Sequence, residues 1–253
     1  MSKPFKIIAV ILLILGIGFF TYPIALKVAF NMQANKAIEQ FESIKKDKLQ
    51  ADNSVLYAQL RKAMFDYNEE LFVSGQSGLI DQLSYEEPDF LLSDYGMDSD
   101  ILGYITIPAV DIKLPIYNGA DNENMSKGAA YLANTSLPVG GNNTNCVIAA
   151  HTRYKGIHMF KRITELEIGD EIYITNFWET LVYKVVETKV IDPKDSQNIY
   201  IQPGRSLVTL STCHPYPKNY QRYLVYAECT SVPAQFLVKK AAPFSGAIYF
   251  LAL

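Results

Sequence analysis

Two residues in the second half of the chain combine types and positions that suit nucleophilic chemistry. Cys213 follows the apolar run Leu207 to Leu210 and precedes a segment with two prolines, so its thiol is expected at a strand end. His151 likewise ends the apolar run Cys146 to Ala150. A thiol with a solution pKa of about 8.5 needs a neighbouring imidazole or cation to become a competent nucleophile. We therefore expect these two strand ends to meet at one rim of the fold.

The positions of the histidines in the sequence indicate which one is the proton-transfer partner of Cys213. The chain contains three: His151, His158 and His214. His214 adjoins Cys213 in an extended segment, where neighbouring side chains point to opposite faces, so it is poorly placed as a partner and is expected on the surface. His158 is expected on the surface or in a short crossover helix. His151 remains as the group that accepts the thiol proton and returns it to a leaving amine.

A third group is needed to stabilise the oxyanion of a tetrahedral intermediate. Arg222, at the start of the run Tyr223 to Tyr226, could supply a fixed guanidinium at the same rim. Taken alone, one cysteine, one histidine and one arginine occur by chance in most chains of this length. The inert-thiol alternative, a buried cysteine without chemistry, stays open at this point and is the expectation for Cys146 and Cys229.

Composition narrows the class of protein. The chain has 253 residues, 49% hydrophobic and 19% charged, which is typical of a globular or membrane-anchored protein. The net charge of −3 and the dispersed basic residues argue against a nucleic-acid partner. Three cysteines are too few for a disulfide scaffold or a metal knuckle, and no phosphate-binding loop is present. We expect no metal and no cofactor.

An apolar segment near the N-terminus predicts a membrane anchor. Residues Ile7 to Leu26 contain no charge and would span about 30 Å as a helix. Lys3 and Lys6 precede it, which favours the N-terminus inside the cell and the bulk of the chain outside. A cleaved signal peptide is the alternative, although no clear cleavage site follows. We expect an uncleaved, single-pass cell-membrane protein.

The spacing of apolar residues divides the chain into five segments. Residues 1–31 hold the cytoplasmic stub and anchor, 32–75 repeat apolar residues at helical spacing, and 76–100 form a loop and possible lid. Residues 101–230 read as many short strands divided by turns, which predicts a mostly β barrel or sandwich with a short helix around Met159 to Leu166. Residues 231–253 form an apolar tail.

The spacing of the three candidate residues matches a known pattern. The run Thr209 to Cys213 fits the TLxTC signature of sortases, and Arg222 follows nine positions later, as in the pilin-polymerising class C branch. His151 lies sixty-two residues upstream, where that family keeps its histidine. Family-like segments extend over roughly residues 35 to 230. The chain thus resembles a sortase, which implies an eight-stranded β-barrel behind the N-terminal helices.

The resemblance also implies a reaction. Cys213 would attack the Thr-Gly bond of an LPxTG-like sorting signal, His151 would protonate the departing amine, and Arg222 would steady the oxyanion or the signal. The acceptor would be a pilin lysine, or in a close alternative the amine of a peptidoglycan precursor. The remaining alternatives are a plain cysteine peptidase and a non-catalytic, membrane-anchored β-domain that binds protein partners.

Three further residues have weaker predicted roles. Class C sortases usually carry an Asp-Pro-aromatic lid, whereas this loop reads Pro88, Asp89, Phe90. Asp89 and Phe90 could plug the cleft or simply pack the loop. Thr212 could support the oxyanion site, or serve only as a β-branched strand residue.

Overall fold

A single helix joins the apolar segment to the folded domain. The computed structural model describes residues 3–48, 54–79 and 86–230, and α1 runs over Lys3–Lys48. Its large apolar side chains are exposed from Ile11 to Val28. The buried stripe then consists of Phe30, Ala34, Ala37, Ile38 and Phe41, whose three-to-four spacing places them on one face of the helix. The predicted anchor and the first part of the predicted helical segment are therefore one element, and α1 is long and apolar enough to cross a membrane.

The remaining elements are one longer helix and many short strands. Helix α2 spans Ser54–Val73, and the six-residue helix α3, Asn122–Lys127, is capped by the carboxylate of Asp121. The strands are β1 Ile101–Ile107, β2 Ile112–Asn118, β3 Ala129–Tyr131, β4 Thr144–Ala149, β5 Arg153–Tyr154, β6 Ile157–His158, β7 Glu171–Thr175, β8 Thr180–Ile191, β9 Ser206–His214 and β10 Gln221–Cys229.

Eight of these strands close into a barrel, as predicted. The order around it is β1-β2-β3-β4-β9-β10-β8-β7, and β5 pairs with β6 in a separate hairpin. The β2–β3 and β4–β9 pairs are parallel and the other described pairs are antiparallel. Closure leaves the barrel without free sheet edges. The predicted fold class, a mostly β eight-stranded barrel with N-terminal helices, is confirmed.

The barrel has two ends that matter for the site. We call the end at which β4 and β9 finish the upper end, and the end that carries the β7–β8 turn the lower end. Helix α1 contacts β6 near the upper end, and its Phe41 ring lies 4.9 Å from that of Phe177 in the β7–β8 turn. It therefore descends along the barrel from the upper to the lower end.

Alternation along β9 and β10 separates two apolar layers. Val208, Leu210 and Val225 belong to the main core, which also includes the buried faces of α1 and α2. The opposite face of β10 supports a second cluster, in which Leu224 and Tyr226 pack with Ile199 of the segment after β8. A short 3-10 helix, Ser196–Ile199, therefore lies over the outside of the barrel, where the Asn198 carbonyl accepts a hydrogen bond from the Tyr226 hydroxyl at 2.8 Å.

Several details differ from the expectations drawn from the sequence. Strand β3 has three residues and was not foreseen, and the expected crossover helix is a short 3-10 turn, Lys161–Glu165. The loop between α2 and β1 contains a 3-10 helix, Leu92–Tyr95, whose Leu92 is buried. The apolar tail 231–253 lies outside the described residues, and the domain limits stay predictions.

Candidate active site

Cys213 and Arg222 face each other directly across two neighbouring strands. In the antiparallel pairing of β9 with β10, Arg222 is the register partner of Cys213. Direct partners in such a pair have Cα atoms about 4.5–5.5 Å apart and side chains on the same face of the sheet. Both residues are half-buried at the upper end. The guanidinium and the thiol therefore leave the barrel side by side.

The register of β4 against β9 brings His151 to the same level. These strands pair in parallel from Thr144 with Ser206 to Ala149 with Ser211, a constant offset of sixty-two positions (206 minus 144, and 211 minus 149). His151 and Cys213 are separated by the same sixty-two positions. The amide of Ala150 donates to the carbonyl of Ser211 at 3.2 Å, which extends the ladder past the end of β4. The three residues thus occupy one row, with Cys213 in the middle.

Two threonine hydroxyls link the strand of Cys213 to the loop of His151. The Thr152 hydroxyl donates to the carbonyl of Cys213 at 2.6 Å, and the Thr212 hydroxyl donates to the carbonyl of Ala150 at 2.9 Å. The two hydroxyl oxygens are themselves 3.0 Å apart. Thr212 is only 2% exposed. We call Thr152 and Thr212 the threonine pair; it holds the residues on both sides of His151 against the end of β9.

The imidazole of His151 lies against an aromatic ring. It stacks on Tyr154 with ring centroids 5.4 Å apart and planes 8° from parallel. The amide of Phe160 donates to the His151 carbonyl at 2.9 Å, which fixes the backbone. Burial lowers the pKa of His151 from its ordinary value, since a half-desolvated site disfavours the charged imidazolium. The fold therefore favours the neutral imidazole, the form that can accept a proton from a thiol.

Arg222 keeps an uncompensated charge. Its described hydrogen bonds go to two main-chain carbonyls of the β9–β10 turn, that of Gln221 at 3.1 Å and that of Asn219 at 3.5 Å. Within the described ranges no carboxylate forms an ion pair with it. These carbonyls orient the guanidinium without neutralising it, which suits the stabilisation of a developing oxyanion.

A groove runs beside this row. It encloses about 220 Å³ and is lined by Arg222 and Ser211 together with mostly apolar side chains, among them Leu132, Ile199 and Leu224. The segment after β8 forms one of its walls, and two carboxylates, Glu86 and Asp195, line it as well. Of the three residues in the row, only Arg222 is part of this lining. A groove of this kind suits an extended peptide with small apolar side chains.

The structure does not bring Asp89 and Phe90 to Cys213. The Asp89 carboxylate accepts hydrogen bonds from the Tyr67 hydroxyl and the amide of Asn134. Phe90 is 7% exposed, belongs to the main core and stacks on Tyr95 at 5.4 Å. These contacts fix the chain immediately before Phe90 to the side of the barrel.

Glu86, three residues before Asp89, is the part of this loop that reaches the groove. Its carbonyl passes close to Gly119, where an added Cβ would lie 2.6 Å from the oxygen. Gly119 has a φ of +89°, which side-chain-bearing residues rarely adopt, so glycine permits both the turn and the close approach. We call residues 86–90 the strap.

The other cysteines and histidines lie elsewhere. Cys146 is buried, and burial raises the pKa of its thiol far above the usual range. Cys229 is half-buried at the lower end of β10, and His158 is exposed in β6. His214 was expected on the surface, but it is half-buried and its ring lies 5.6 Å from that of Tyr223. Among the residues that can be described, no group of three or more His, Cys, Asp or Glu side chains could hold a metal ion.

Two functional neighbours were missed from the sequence. Thr152 directly follows His151 and Tyr154 lies three positions after it, and that closeness in the chain was the available signal. Neither role can be read from the sequence alone, because the hydroxyl contact depends on the β4–β9 register and the ring stack on the turn after β4.

Comparisons with known proteins agree on one family. A model of the sortase domain matches residues 105–230. Sortase D of Bacillus subtilis (strain 168) is 29% identical over 129 residues, which cover 50% of this chain and 62% of that protein. The chain thus spans less than two thirds of that relative.

Solved structures cover more of the chain. Clostridium perfringens sortase C with the C-terminal cell wall sorting motif is 34% identical, with a TM-score of 0.64, over 77% of this chain and 100% of that one. Sortase C1 of GBS pilus island 1 is 26% identical, with a TM-score of 0.67, over 79% and 94% respectively. The similarity therefore includes the helical segment before the barrel.

Proposed function

Because this chain belongs to the sortase family, we propose that it is a cysteine transpeptidase with Cys213 as nucleophile, His151 as proton shuttle and Arg222 as oxyanion stabiliser. The single observation that carries the proposal is the shared row across β4, β9 and β10, in which Cys213 lies between the other two residues. A nucleophile, a proton carrier and a fixed cation at one level supply what acyl transfer requires.

The reaction proceeds in two balanced halves. The Cys213 thiol gives its proton to the His151 imidazole, and the thiolate attacks the threonine carbonyl carbon of the sorting signal. Arg222 donates to the resulting oxyanion. The C–N bond to glycine then breaks as the imidazolium protonates the leaving amine, which leaves a thioester on Cys213. An incoming amine attacks that thioester, loses a proton to His151 and releases Cys213.

The lowered pKa of His151 has a kinetic consequence. Since burial favours the neutral imidazole, transfer of the thiol proton to His151 costs free energy at this site. That cost slows the formation of the thiolate and therefore lowers the rate of turnover. Cys213 is half-buried, and its register partner Arg222 lines the groove beside it.

The donor substrate is proposed to be an LPxTG-like signal. The apolar lining of the groove suits leucine and proline side chains, and the groove borders Arg222 next to the thiol. A sortase C from Clostridium perfringens has a solved structure described with a C-terminal cell wall sorting motif, which supports the same class of donor here.

A pilin lysine is the acceptor that we favour. The likeness to sortase C1 of a pilus island supports it, as does the helical segment that the two proteins share before the barrel. The rival acceptor is the amine of a peptidoglycan precursor. Competition between a lysine-bearing pilin peptide and a peptidoglycan-type amine distinguishes them, because only the favoured acceptor should dominate the product at equal concentration.

The chain is proposed to work outside the cell membrane. Residues 1–31 act as stub and anchor, 32–75 as a helical brace, and 101–230 as the catalytic barrel. The unbroken helix α1, exposed up to Val28 and packed on the barrel from Phe30, supports this division. Protease added to intact cells should remove the barrel and spare the anchor.

The strap is proposed to limit access to the groove. Asp89 and Phe90 fix one end of it, while Glu86 borders the groove near Arg222. In this arrangement the role of Asp89 and Phe90 is to hold the strap in place and not to plug the groove. The substitution Asp89→Ala should release the strap and speed labelling of Cys213.

The deciding experiment is a partition between water and amine. The full chain in detergent is incubated with a labelled LPxTG-like peptide, with and without an amine acceptor, beside the variant Cys213→Ala. We expect amine adduct to replace hydrolysis product as the amine is raised, and no product from the variant. If the amount of hydrolysis product does not change when amine is added, the chain is a plain peptidase. If no product depends on the Cys213 thiol, the chain is a binding domain.

A further inference from the structure

The upper end of the barrel carries cations and tyrosines that take no part in the proposed bond-making and proton-transfer steps. They lie in two loops, the β5–β6 hairpin and the turn between β9 and β10. We call six of these residues the collar: Arg153, Tyr154, Lys155, Tyr216, Lys218 and Tyr220. Tyr154 also stacks on His151, and the proposed reaction assigns no chemical step to any of the six.

The two loops form one surface. The Arg153 guanidinium lies over the ring of Tyr216, 5.4 Å from its centroid, which joins the hairpin to the β9–β10 turn. The Lys155 ammonium lies 5.1 Å from the centroid of the Tyr154 ring. The collar therefore presents its cations and its aromatic rings together.

This surface is exposed although it is rich in aromatic side chains. Tyr216 is 46% exposed and Tyr220 is 59% exposed, the two highest values for tyrosines described outside α1. Lys155 and Lys218 are exposed as well. Single exposed rings are common, but exposed rings gathered in one patch mark an interaction surface, and these two tyrosines lie four residues apart in one loop.

The charge of the collar is of one sign. Residues 150–163 and 214–222 contain no aspartate or glutamate, in a chain whose net charge is −3. Among the described carboxylates near this end, Glu86 and Asp195 line the groove, Glu165 is paired with Arg162, and Asp111 and Asp192 follow β1 and β8 outside the two loops of the collar. The collar is therefore a local positive field that suits an anionic partner.

Helix α1 reaches the barrel at the same place. Its first buried residue of the apolar stripe, Phe30, lies three residues after Lys27, about 4.5 Å along a helix. The helix contacts β6, the second strand of the hairpin, which places the start of its buried stripe beside the collar. The apolar run that ends at Leu26 would thus leave the bilayer beside the collar.

We propose that the collar docks on anionic lipid headgroups and holds the upper end of the barrel at the membrane surface. Tyrosine rings favour the headgroup level, and each cation near an anionic leaflet strengthens binding by about five-fold. This inference rests on the proposed membrane anchor and is independent of the catalytic roles. Its consequence for the reaction is that the groove accepts peptide segments tethered close to the bilayer.

The test places a fluorescent reporter in the collar of the full chain. The variant Trp178→Phe, Tyr216→Trp keeps an aromatic ring under Arg153 and is reconstituted in nanodiscs of phosphatidylcholine with or without phosphatidylglycerol, doped with headgroup-nitroxide lipid. We expect strong quenching that needs phosphatidylglycerol and weakens with salt. The natural Trp178, the only tryptophan of the chain, packs on Phe177 at the lower end and should stay unquenched.

Charge reversal supplies the matched comparison. Lys155→Glu with Lys218→Glu should lower the docked-to-undocked ratio by about 25-fold or more, taking five-fold for each cation. Lys36→Glu with Lys46→Glu, two exposed lysines of α1, should change it less than about two-fold.

Three results would overturn the proposal. A collar reporter that is unquenched in anionic nanodiscs shows that the upper end stays away from the lipid. Quenching that is equal in both lipids and insensitive to charge reversal shows a contact without anionic selectivity. A chain that does not insert at all refutes the anchor as well, and the amine-partition assay in detergent then judges the catalytic proposal separately.

Discussion

Replacing Thr152 by valine should lower kcat/KM by more than the loss of folding stability alone explains. The threonine pair has two hydroxyl protons for three contacts: to the carbonyl of Cys213 at 2.6 Å, to the carbonyl of Ala150 at 2.9 Å, and between the hydroxyls at 3.0 Å. Two protons can form only two full hydrogen bonds, so the third contact depends on a proton that is shared between two acceptors. Valine keeps the shape of threonine and removes one donor, so that about one hydrogen bond between the loop of His151 and the end of β9 is lost.

The magnitude follows from that loss. A buried hydrogen bond contributes about 0.5–1.5 kcal/mol net, and leaving its partner unsatisfied costs about 1–3 kcal/mol. The lost hydrogen bond helps to orient His151 toward Cys213. If its loss raises the free energy of the transition state by about 1–2 kcal/mol, kcat/KM should fall by about 5- to 30-fold. Thr152→Ser keeps the hydroxyl and should restore most of the rate.

Thr209 offers a matched control on the same strand. Its buried hydroxyl donates to Asn145 at 2.7 Å, away from the backbone around His151. Thr209→Val should lower the free energy of unfolding by a similar amount, about 1–2 kcal/mol, and leave kcat/KM within about three-fold. The assay is turnover of a fluorogenic LPxTG-like peptide beside denaturant unfolding. Equal losses of activity in Thr152→Val and Thr209→Val would refute the positioning role.

Three other outcomes are expected. In NMR titrations the pKa of His151 should lie below the ordinary value of about 6.5, because burial disfavours the imidazolium. The variant Tyr154→Ala should raise this pKa by exposing the imidazole ring. A pKa that is unchanged or lower in the variant contradicts the assignment of burial as the cause. Thiol reagents should modify Cys146 only after unfolding, since it is buried with a raised pKa; labelling in the native state would contradict its place in the core. Asp89→Ala should cost about 1–2 kcal/mol of stability and speed alkylation of Cys213; an unchanged rate would remove the strap as a barrier.

The elements nearest to the chemistry could be predicted because their signals are local. The apolar run before Cys213, the prolines after it and the run before His151 mark strand ends without knowledge of any distant contact. The offset of sixty-two residues between His151 and Cys213 equals the β4–β9 register. The family spacing therefore reflects a pairing in the sheet, which is why it could be read from the sequence.

Features that depend on distant contacts could not be read in the same way. Strand β3 is three residues long, too short for alternation to show, and it is held by parallel pairing to β2. The core position of Phe90 depends on Tyr67 and Tyr95, and nothing in the loop sequence distinguishes packing from plugging. The continuity of α1 crosses the point where composition changes from apolar to polar, so composition suggested a boundary that the backbone does not have.

Trapping the acyl-enzyme tests the shared row of Cys213, His151 and Arg222 most directly. The full chain is mixed with an LPxTG-like peptide and no amine, quenched in acid and digested, and the thioester is located by mass spectrometry. The expected adduct is on Cys213, absent in Cys213→Ala and formed much more slowly in His151→Gln and Arg222→Gln. An adduct on Cys229, or one that forms at an unchanged rate in both of the latter variants, would contradict the account.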